Sequence, residues 1–290
     1  MFPSILIAAI VVPLLADAGS NCGISPSIQK YEDALNGTDD SSPSLKIIYG
    51  HESVNGDWPW LVKISSEYDC TGTIIGDKWI LTAAHCMFKT GDLIEVFYGD
   101  VNYQKAQIVN ATNSFPFCPS CKINLANADT GKDIDIALLE LEEPLTFDES
   151  IKPICLTRNL DSGPGDYEVA AGWGVDPFTY QRRIIAREDK IPVNSPDYCR
   201  YESEPPLTGT KEVCAGTDDL GTSPGDSGGP LMTLKNGKWY QHGVTSRGYG
   251  VVLPETFFHR GVYTDVTKFC DWIGETTKGE VQCENDNIFE

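Results

Sequence analysis

The sequence predicts an all-β protein of two barrels, with helix confined to a short turn and to the end of the chain. From about residue 47 onward, short runs of β-branched and aromatic residues alternate with turn residues. The two stretches of helical character are Ser195 to Cys199 and Thr267 to Thr276. Many short strands followed by a terminal helix are typical of barrel architectures. The predicted strands are Trp60 to Ile64, Thr71 to Ile75, Trp79 to Thr82, Leu93 to Tyr98, Ile136 to Leu141, Tyr167 to Ala171, Leu231 to Leu234 and Gly261 to Val266.

The first 46 residues differ in amino-acid composition from the rest of the chain. The apolar run Ile5 to Ala16 is too short to span a bilayer and ends in a small-x-small cleavage pattern, so residues 1–18 are interpreted as a secretory signal peptide. Residues 19–46 are rich in Ser, Asp, Asn and Gly with little to bury, which predicts a flexible pro-segment. Because no later segment is long and apolar enough for a membrane helix, the sequence predicts a secreted, extracellular protein without a membrane partner.

Cysteine content and charge narrow the classes of function. Ten cysteines in a secreted chain indicate disulfides rather than metal or redox chemistry, so no metal and no cofactor are predicted. The formal net charge of −20 makes nucleic acid and anionic membranes poor partners. Two Asn-x-Thr sequons predict glycosylation of Asn36 and Asn110.

Three motifs supply the residue types of nucleophilic catalysis. Gly225-Asp226-Ser227-Gly228-Gly229-Pro230 holds a serine between glycines, where backbone N–H donors can surround it. Thr82-Ala83-Ala84-His85-Cys86 offers an imidazole that titrates near neutral pH and can act as a base. Asp135, which directly precedes Ile-Ala-Leu-Leu, offers a carboxylate that would orient the imidazole. Asp133 is the competing carboxylate, two residues away on the same side of an extended strand.

With these motifs in the order His, Asp, Ser, the chain resembles the trypsin/chymotrypsin family of serine proteases from about Ile47 to Ile273. The resemblance implies two six-stranded antiparallel β-barrels with a C-terminal helix. It places a peptidase domain at residues 47–274 and a C-terminal tail at residues 275–290. The implied activity is that of a secreted serine endopeptidase that cuts protein and peptide substrates through an acyl-enzyme.

The resemblance also assigns a role to each residue of the site. It implies Ser227 as nucleophile, His85 as proton shuttle and Asp135 as orienting group. Ser246 matches the family serine that hydrogen-bonds the aspartate. The backbone N–H groups of Gly225 and Ser227 would stabilise the oxyanion.

Lys46-Ile47-Ile48-Tyr49-Gly50 resembles the family's activation junction. Cleavage after Lys46 by a trypsin-like protease would free the ammonium of Ile47 to pair with buried Asp226. The resemblance therefore implies a zymogen, whose active form is a monomer of two disulfide-linked chains. Protein inhibitors are possible partners of such an enzyme.

Three disulfides are implied by the resemblance: Cys70–Cys86, Cys199–Cys214 and Cys22–Cys155. Two family disulfides are absent, since Glu168 and Thr233 occupy the places of one and Ser223 stands at the first cysteine of the other. The pairing of the remaining four cysteines stays open between two schemes. Either Cys118–Cys121 and Cys270–Cys283 form, or the loop cysteines pair with those of the C-terminal helix.

Substrate preference depends on the residues implied to line the pocket. Gly221 stands where trypsin-like members carry an aspartate and is followed by Thr222, and Gly248 and Gly261 match the family glycines that leave the pocket walls open. This predicts a preference for large apolar or aromatic side chains. In the alternative, Asp218 or Asp219 enters the pocket and restores basic specificity. Arg247 replaces a channel tryptophan and selects acidic groups upstream of the cut, or pairs with the enzyme's own acidic surface.

Two rival functions share this sequence pattern. The first is a non-catalytic homologue acting as a binding or regulatory protein, which the altered Ser223, Pro224 and Arg247 keep open. The second is a toxin-like protease that binds a receptor and is also catalytically active. Covalent labelling of Ser227 discriminates the non-catalytic homologue from the two enzymes.

Overall fold

The structure is a computed structural model that describes residues 22–35, 50–66, 69–87, 93–118, 134–176, 179–199, 211–218, 220–249 and 260–284. Within these ranges the chain is almost entirely β-structure, arranged in two closed antiparallel barrels with a short helix near the C-terminus. The predicted fold class is confirmed. The signal peptide predicted at residues 1–18 lies outside the described residues.

Six strands form the first barrel: β2 (Leu61–Ser65), β3 (Asp69–Ile74), β4 (Trp79–Thr82), β5 (Ile94–Tyr98), β6 (Gln107–Pro116) and β7 (Ala137–Leu141). They close in the order β2-β3-β4-β7-β6-β5. Large apolar side chains such as Trp60, Ile80 and Leu138 fill the interior and are fully buried. In the pairing of β4 with β7, Thr82 lies opposite Ala137, so the segments carrying His85 and Asp135 meet at one barrel end.

The second sheet contains β1 (His51–Glu52), β8 (Tyr167–Gly172), β9 (Arg187–Asn194), β10 (Glu212–Ala215), β11 (Pro230–Lys235), β12 (Lys238–Tyr249) and β13 (Arg260–Asp265). Its order is β1-β9-β10-β13-β12-β11-β8, and β8 pairs back onto β9, which closes a six-stranded barrel. A 3-10 turn at Pro196–Cys199 and the helix α2 (Cys270–Thr276) fall within the two predicted helical stretches.

Part of the predicted pro-segment is folded onto the barrels. Residues Ser27–Leu35 form the helix α1, and its Tyr31 is fully buried. The Tyr31 ring lies 5.7 Å from that of Trp58 and 5.6 Å from that of Trp239, centroid to centroid. The prediction of a flexible pro-segment with little to bury is therefore wrong for residues 22–35. The cause is a single aromatic anchor whose burial outweighs the polar composition around it.

The disulfides follow the prediction where the structure describes them. Cys22–Cys155, Cys70–Cys86 and Cys199–Cys214 are all formed. Cys270 pairs with Cys283, which rules out the scheme in which these cysteines bond to the loop. Cys118 is also disulfide-bonded, and Cys121 lies outside the described residues.

A buried ion pair stands where the family disulfide of the second barrel is missing. Glu168 on β8 is fully buried, and its Oε1 lies 2.7 Å from Nδ1 of His242 on β12. Ser162 also donates a hydrogen bond to Oε1, whereas Oε2 is buried without a partner in the described chain. Since β11 lies between β8 and β12, the pair links two strands across a third.

The end of the described chain is fastened beside its beginning. Beyond α2, the Cys270–Cys283 disulfide leads into Glu284, whose backbone N–H donates to the carbonyl of Leu156 at 2.8 Å. The Glu284 carboxylate accepts hydrogen bonds from Tyr240 at 2.6 Å and Lys238 at 2.9 Å. The same carboxylate lies 3.6 Å from the sulfur of Cys22. None of the helices in the described ranges has the length and apolar character needed to cross a membrane.

Candidate active site

His85 and Asp135 form the centre of the candidate site. His85 lies in a 3-10 turn at Ala84–Met87 that follows β4, and Asp135 immediately precedes the start of β7 at the same barrel end. The Nδ1 atom of His85 lies 2.7 Å from Oδ2 of Asp135, and the backbone N–H of His85 donates to Oδ1 at 2.9 Å. An ionised carboxylate can only accept, so Nδ1 carries the proton and Nε2 is left as the basic nitrogen. Asp133, the competing carboxylate, lies outside the described residues.

Asp135 is buried and held by the second barrel as well. Ser246 donates to Oδ2 at 2.6 Å, and Thr264 donates to the backbone carbonyl at 2.9 Å. Burial alone would raise the pKa of Asp135, but the hydrogen bond and charge of His85, with the hydrogen bond from Ser246, hold it below its ordinary value. The carboxylate is therefore ionised at neutral pH and fixes the imidazole from both barrels.

The loop that carries Ser227 packs against β3 and against the end of β4, which leads to His85. Thr71 donates its backbone N–H to the Ser227 carbonyl at 2.8 Å and its hydroxyl to the Gly225 carbonyl at 2.9 Å. Gly228 has φ +80°, and a Cβ there would overlap the Thr82 hydroxyl and the Thr71 carbonyl and lie 2.9 Å from the Ala83 nitrogen. Only glycine permits this approach, which brings half-buried Ser227 to the His85 end of the first barrel.

The predicted oxyanion donors lie in a constrained turn. Gly225 has φ +106°, and a Cβ at this position would lie 3.2 Å from the Trp173 carbonyl. The carbonyl of Pro224 accepts from the N–H of Val175 at 2.9 Å. Within the described part of the chain, neither the Gly225 nor the Ser227 N–H has an acceptor. Two N–H groups are thus available to a substrate oxygen.

Asp226 is buried under this turn. Its carboxylate accepts from the N–H of Gly174 at 2.7 Å and from the N–H of Ser223 at 2.8 Å. Ser223, which replaces a family cysteine, also donates its hydroxyl to the same carboxylate at 3.3 Å. Burial raises the pKa of Asp226 above its ordinary value, and these hydrogen bonds offset the rise only in part. Lys46 and Ile47, the predicted activation junction, lie outside the described residues.

Two of the predicted pocket residues, Thr222 and Gly261, lie beside Tyr263. Gly221 is buried, Thr222 is half-buried, and Tyr263 is fully buried. A Cβ on Gly261 would lie 2.8 Å from the Tyr263 ring, whereas the nearest atom of the described residues to one on Gly248 is the Arg260 carbonyl oxygen, at 3.8 Å. The Gly248 wall is therefore open to larger side chains, and the Gly261 wall is not.

Two ion pairs flank this region. Arg247 donates to Glu212 at 2.7 Å, which matches the alternative that it pairs with the enzyme's own acidic residues. Arg260 donates to Asp218 at 2.6 Å and stacks over the Tyr198 ring at 4.4 Å. Asp218 is thus engaged by an arginine, and Asp219 lies outside the described residues.

Further predictions concern metal binding and glycosylation. Among the described residues, Cys70, His85 and Cys86 come close enough to suggest a metal, but both sulfurs are in one disulfide and offer no thiolate. Asn110 is half-buried on β6 and donates to Glu142 at 3.3 Å, and its glycosylation stays a prediction. Asn36 lies outside the described residues.

Sequence reasoning missed two residues that hold the site. Thr71 fixes the Ser227 loop through two hydrogen bonds, and Thr264 fixes the backbone of Asp135. Thr71 follows the half-cystine Cys70, so its position next to the site was the available signal. Thr264 lies 129 residues from Asp135, and no local pattern links the two.

Comparison with known proteins agrees with this geometry. The Trypsin family model matches residues 47–273 of the chain. Coagulation factor XI of Bos taurus is 32% identical over 244 residues, which cover 81% of this chain and 38% of that protein. The chain therefore spans well under half the length of that relative. It belongs to the trypsin family of serine proteases, as the sequence motifs indicated.

Proposed function

We propose that this chain is a serine endopeptidase, made as a secreted zymogen, that hydrolyses peptide bonds through an acyl-enzyme on Ser227. The observation that carries the proposal is the His85–Asp135 hydrogen bond, reinforced by Ser246, beside the Ser227 loop. This arrangement has the parts that convert an ordinary alcohol into a nucleophile: a base, a group that orients the base, and oxyanion donors.

In the proposed reaction, Ser227 Oγ attacks the scissile carbonyl carbon while His85 Nε2 takes the hydroxyl proton. The electron pair of the C=O bond moves to oxygen, and the resulting oxyanion accepts hydrogen bonds from the Gly225 and Ser227 N–H groups. When the tetrahedral intermediate collapses, the C–N bond breaks and His85 protonates the leaving amine. Water then repeats the sequence on the acyl ester and releases Ser227.

The role of Asp135 in this scheme is electrostatic. Its pKa is held low by its hydrogen bonds, so it remains an anion while the imidazole becomes positively charged. The negative charge stabilises the imidazolium, and the fixed Nδ1 contact keeps Nε2 directed away from the carboxylate. Asp135 therefore does not take the proton itself.

The activation proposal rests on Asp226. A fully buried carboxylate with a raised pKa is poorly compensated by neutral donors, and an ammonium group is the partner that would stabilise its charge. Cleavage after Lys46 would create that ammonium on Ile47. Loss of one member of such a buried pair costs about 3–5 kcal/mol. The uncleaved chain lacks the ammonium, so its Gly225 turn is less well ordered than that of the cleaved chain.

For substrate preference we propose large apolar or aromatic side chains at the residue before the cut. The support is the open wall at Gly248, the uncharged Gly221, and the engagement of Asp218 by Arg260. The coagulation factor XI relative shares the protease domain, and its physiological targets are not carried over to this chain.

The test is covalent labelling by a fluorophosphonate, followed by mapping of cuts in a diverse peptide library. The protein is first cleaved after Lys46 with trypsin, and the trypsin is removed. Labelling that is lost in Ser227→Ala, together with cuts after Phe, Tyr or Leu, supports the proposal. Cuts after Lys or Arg contradict the apolar preference. No labelling at all, with Ile47 verified as the new N-terminus, favours the non-catalytic homologue.

A matched variant tests the zymogen proposal separately. Lys46→Gln removes the trypsin site and leaves the protease body unchanged. This precursor is expected to lack activity after trypsin treatment because Asp226 receives no ammonium. Full activity of the uncleaved Lys46→Gln chain would overturn the activation mechanism.

A further inference from the structure

The pro-segment helix and the first strand of the protease domain converge on one buried carboxylate, that of Glu188. Tyr31 Oη donates to Glu188 Oε1 at 2.9 Å, and His51 Nε2 lies 3.0 Å from the same oxygen. Lys30 also donates to Oε1, and the indole N–H of Trp58 donates to Oε2. We name Lys30, Tyr31, His51, Trp58 and Glu188 the Glu188 cluster.

Glu188 depends on these partners because its side chain is fully buried on β9. Burial alone would raise the pKa of Glu188, but hydrogen bonds from His51 and Lys30 and the charge of Lys30 lower it to about 2. The carboxylate is therefore ionised at any ordinary pH. A buried charge that loses its partners is strongly destabilising, so the cluster favours the docked helix.

The helix α1 makes non-covalent contacts with the rest of the protein in addition to the nearby disulfide. Cys22, which forms the disulfide to Cys155, lies nine residues before Tyr31 and does not by itself fix the helix. Tyr31 is nonetheless fully buried, and Lys30 reaches Asp57 at 3.4 Å as well as Glu188. The helix thus places a partly exposed ammonium group and a buried phenol against the buried carboxylate of Glu188.

The other side of the cluster is the start of the protease domain. His51 pairs directly with Glu188 in the β1–β9 ladder and also contacts its carboxylate through the side chain. Any group that orders Glu188 therefore orders β1. Tyr31 acts on β1 through Glu188, whereas Lys30 also meets it directly, because its Nζ lies 2.9 Å from His51 Nε2.

We propose that Glu188 is a docking site for residues 22–35, which stay bound as a light chain independently of the Cys22–Cys155 disulfide. Through Glu188 and His51, Lys30 and Tyr31 are positioning residues for the first strand of the protease domain. The positioning role rests on the function proposed above, because it acts after cleavage of the chain. The docking itself does not depend on that function.

The docking test uses the full-length chain without its tether, as Cys22→Ser/Cys155→Ser. A recognition sequence for a site-specific protease replaces residues 38–43, so the cut does not rely on activation at Lys46. After the cut, gel filtration and mass spectrometry are expected to find the pro-segment with the body. Adding Lys30→Met/Tyr31→Phe on the helix, which leaves Glu188 in place, is expected to weaken retention about tenfold or more.

Two controls separate the cluster from general damage. Tyr98→Phe removes a phenol hydrogen bond to Gln107 in the first barrel, away from the pro-segment, and Gln29→Ala changes an exposed position of α1. Both are expected to retain the segment. Release of the segment from the tether-free chain with an intact cluster overturns the docking proposal, as does equal retention with and without Lys30 and Tyr31.

The positioning role is measured in the disulfide-bonded enzyme after cleavage. Tyr31→Phe is expected to lower kcat with little change in KM, whereas Tyr98→Phe changes neither. Equal kcat in the two variants overturns the positioning role. If the parent enzyme has no activity, the proposed function fails, and retention of the segment still decides whether Glu188 is its docking site.

Discussion

The Glu168–His242 pair predicts how the stability of the second barrel depends on pH. His242→Leu leaves the fully buried Glu168 carboxylate without its charged partner. Binding a proton would then neutralise this unpaired buried charge. From an ordinary pKa of about 4.3, protonation costs about 3.7 kcal/mol at pH 7 and about 1.6 kcal/mol at pH 5.5. These values are ceilings on the electrostatic loss at each pH.

The reference for this measurement is the double variant Glu168→Gln/His242→Leu, which has neither titrating group. Urea unfolding with the disulfides intact gives the free energy of unfolding of each protein at both pH values. We expect the single variant to be less stable than the double, with a gap about 2 kcal/mol wider at pH 7 than at pH 5.5. A gap that is absent, or equal at the two pH values, would refute the buried-charge reasoning.

In the wild-type protein, the pH dependence of stability contributed by this pair comes from His242. Burial tends to lower the pKa of His242, but the charge and hydrogen bond of Glu168 raise it above its ordinary value, with a further rise from Asp265 and a fall from Lys268. Because the folded-state pKa is the higher one, this contribution is fully present below about pH 6.5 and declines as the pH rises through the raised pKa. Stability conferred by the pair is therefore lost on the alkaline side.

Three further outcomes are expected. Gly228→Ala should lower the thermal midpoint and abolish activity because its Cβ collides with Thr71 and Thr82, whereas Gly163→Ala, with open space around it, should do neither. Ser246→Ala removes a 2.6 Å hydrogen bond to the Asp135 carboxylate and should lower kcat about tenfold or more at unchanged KM. Asp218→Asn should leave the library cleavage profile unaltered because Arg260 already engages that carboxylate, and a shift from basic to apolar cuts would contradict this.

The fold and the centre of the site could be predicted because their signals are local. Strands such as β4 and β7 are short apolar runs between turn residues, and both lie where they were predicted. His85, Asp135 and Ser227 lie in specific motifs, and the structure brings their segments to one barrel end. The pairings Cys22–Cys155 and Cys199–Cys214 followed from the family pattern.

The remaining features depend on contacts that no local pattern carries. β9 has the sequence REDKIPVN, which looks like a solvated loop, yet Glu188 and Asp189 are fully buried. The helix α1 is polar and short, and Tyr31 is stabilised by a carboxylate 157 residues away. Likewise Glu168 was visible as a replaced cysteine, but its partner His242 lies 74 residues along the chain.

The contact between Cys22 and Glu284 has a mechanical consequence. These residues are the first and last that the structure describes, and each is fastened beside the other. A force that pulls the two apart is borne first by the hydrogen bonds of Glu284 to Tyr240 and Lys238 and by the Cys22–Cys155 bond. Until Glu284 detaches, the path loads the second barrel only at Lys238 and Tyr240 near the start of β12, and the Cys270–Cys283 bond then limits how much chain is released. Tethering the protein by these two points in a force spectrometer should therefore give a short first extension before either barrel unfolds.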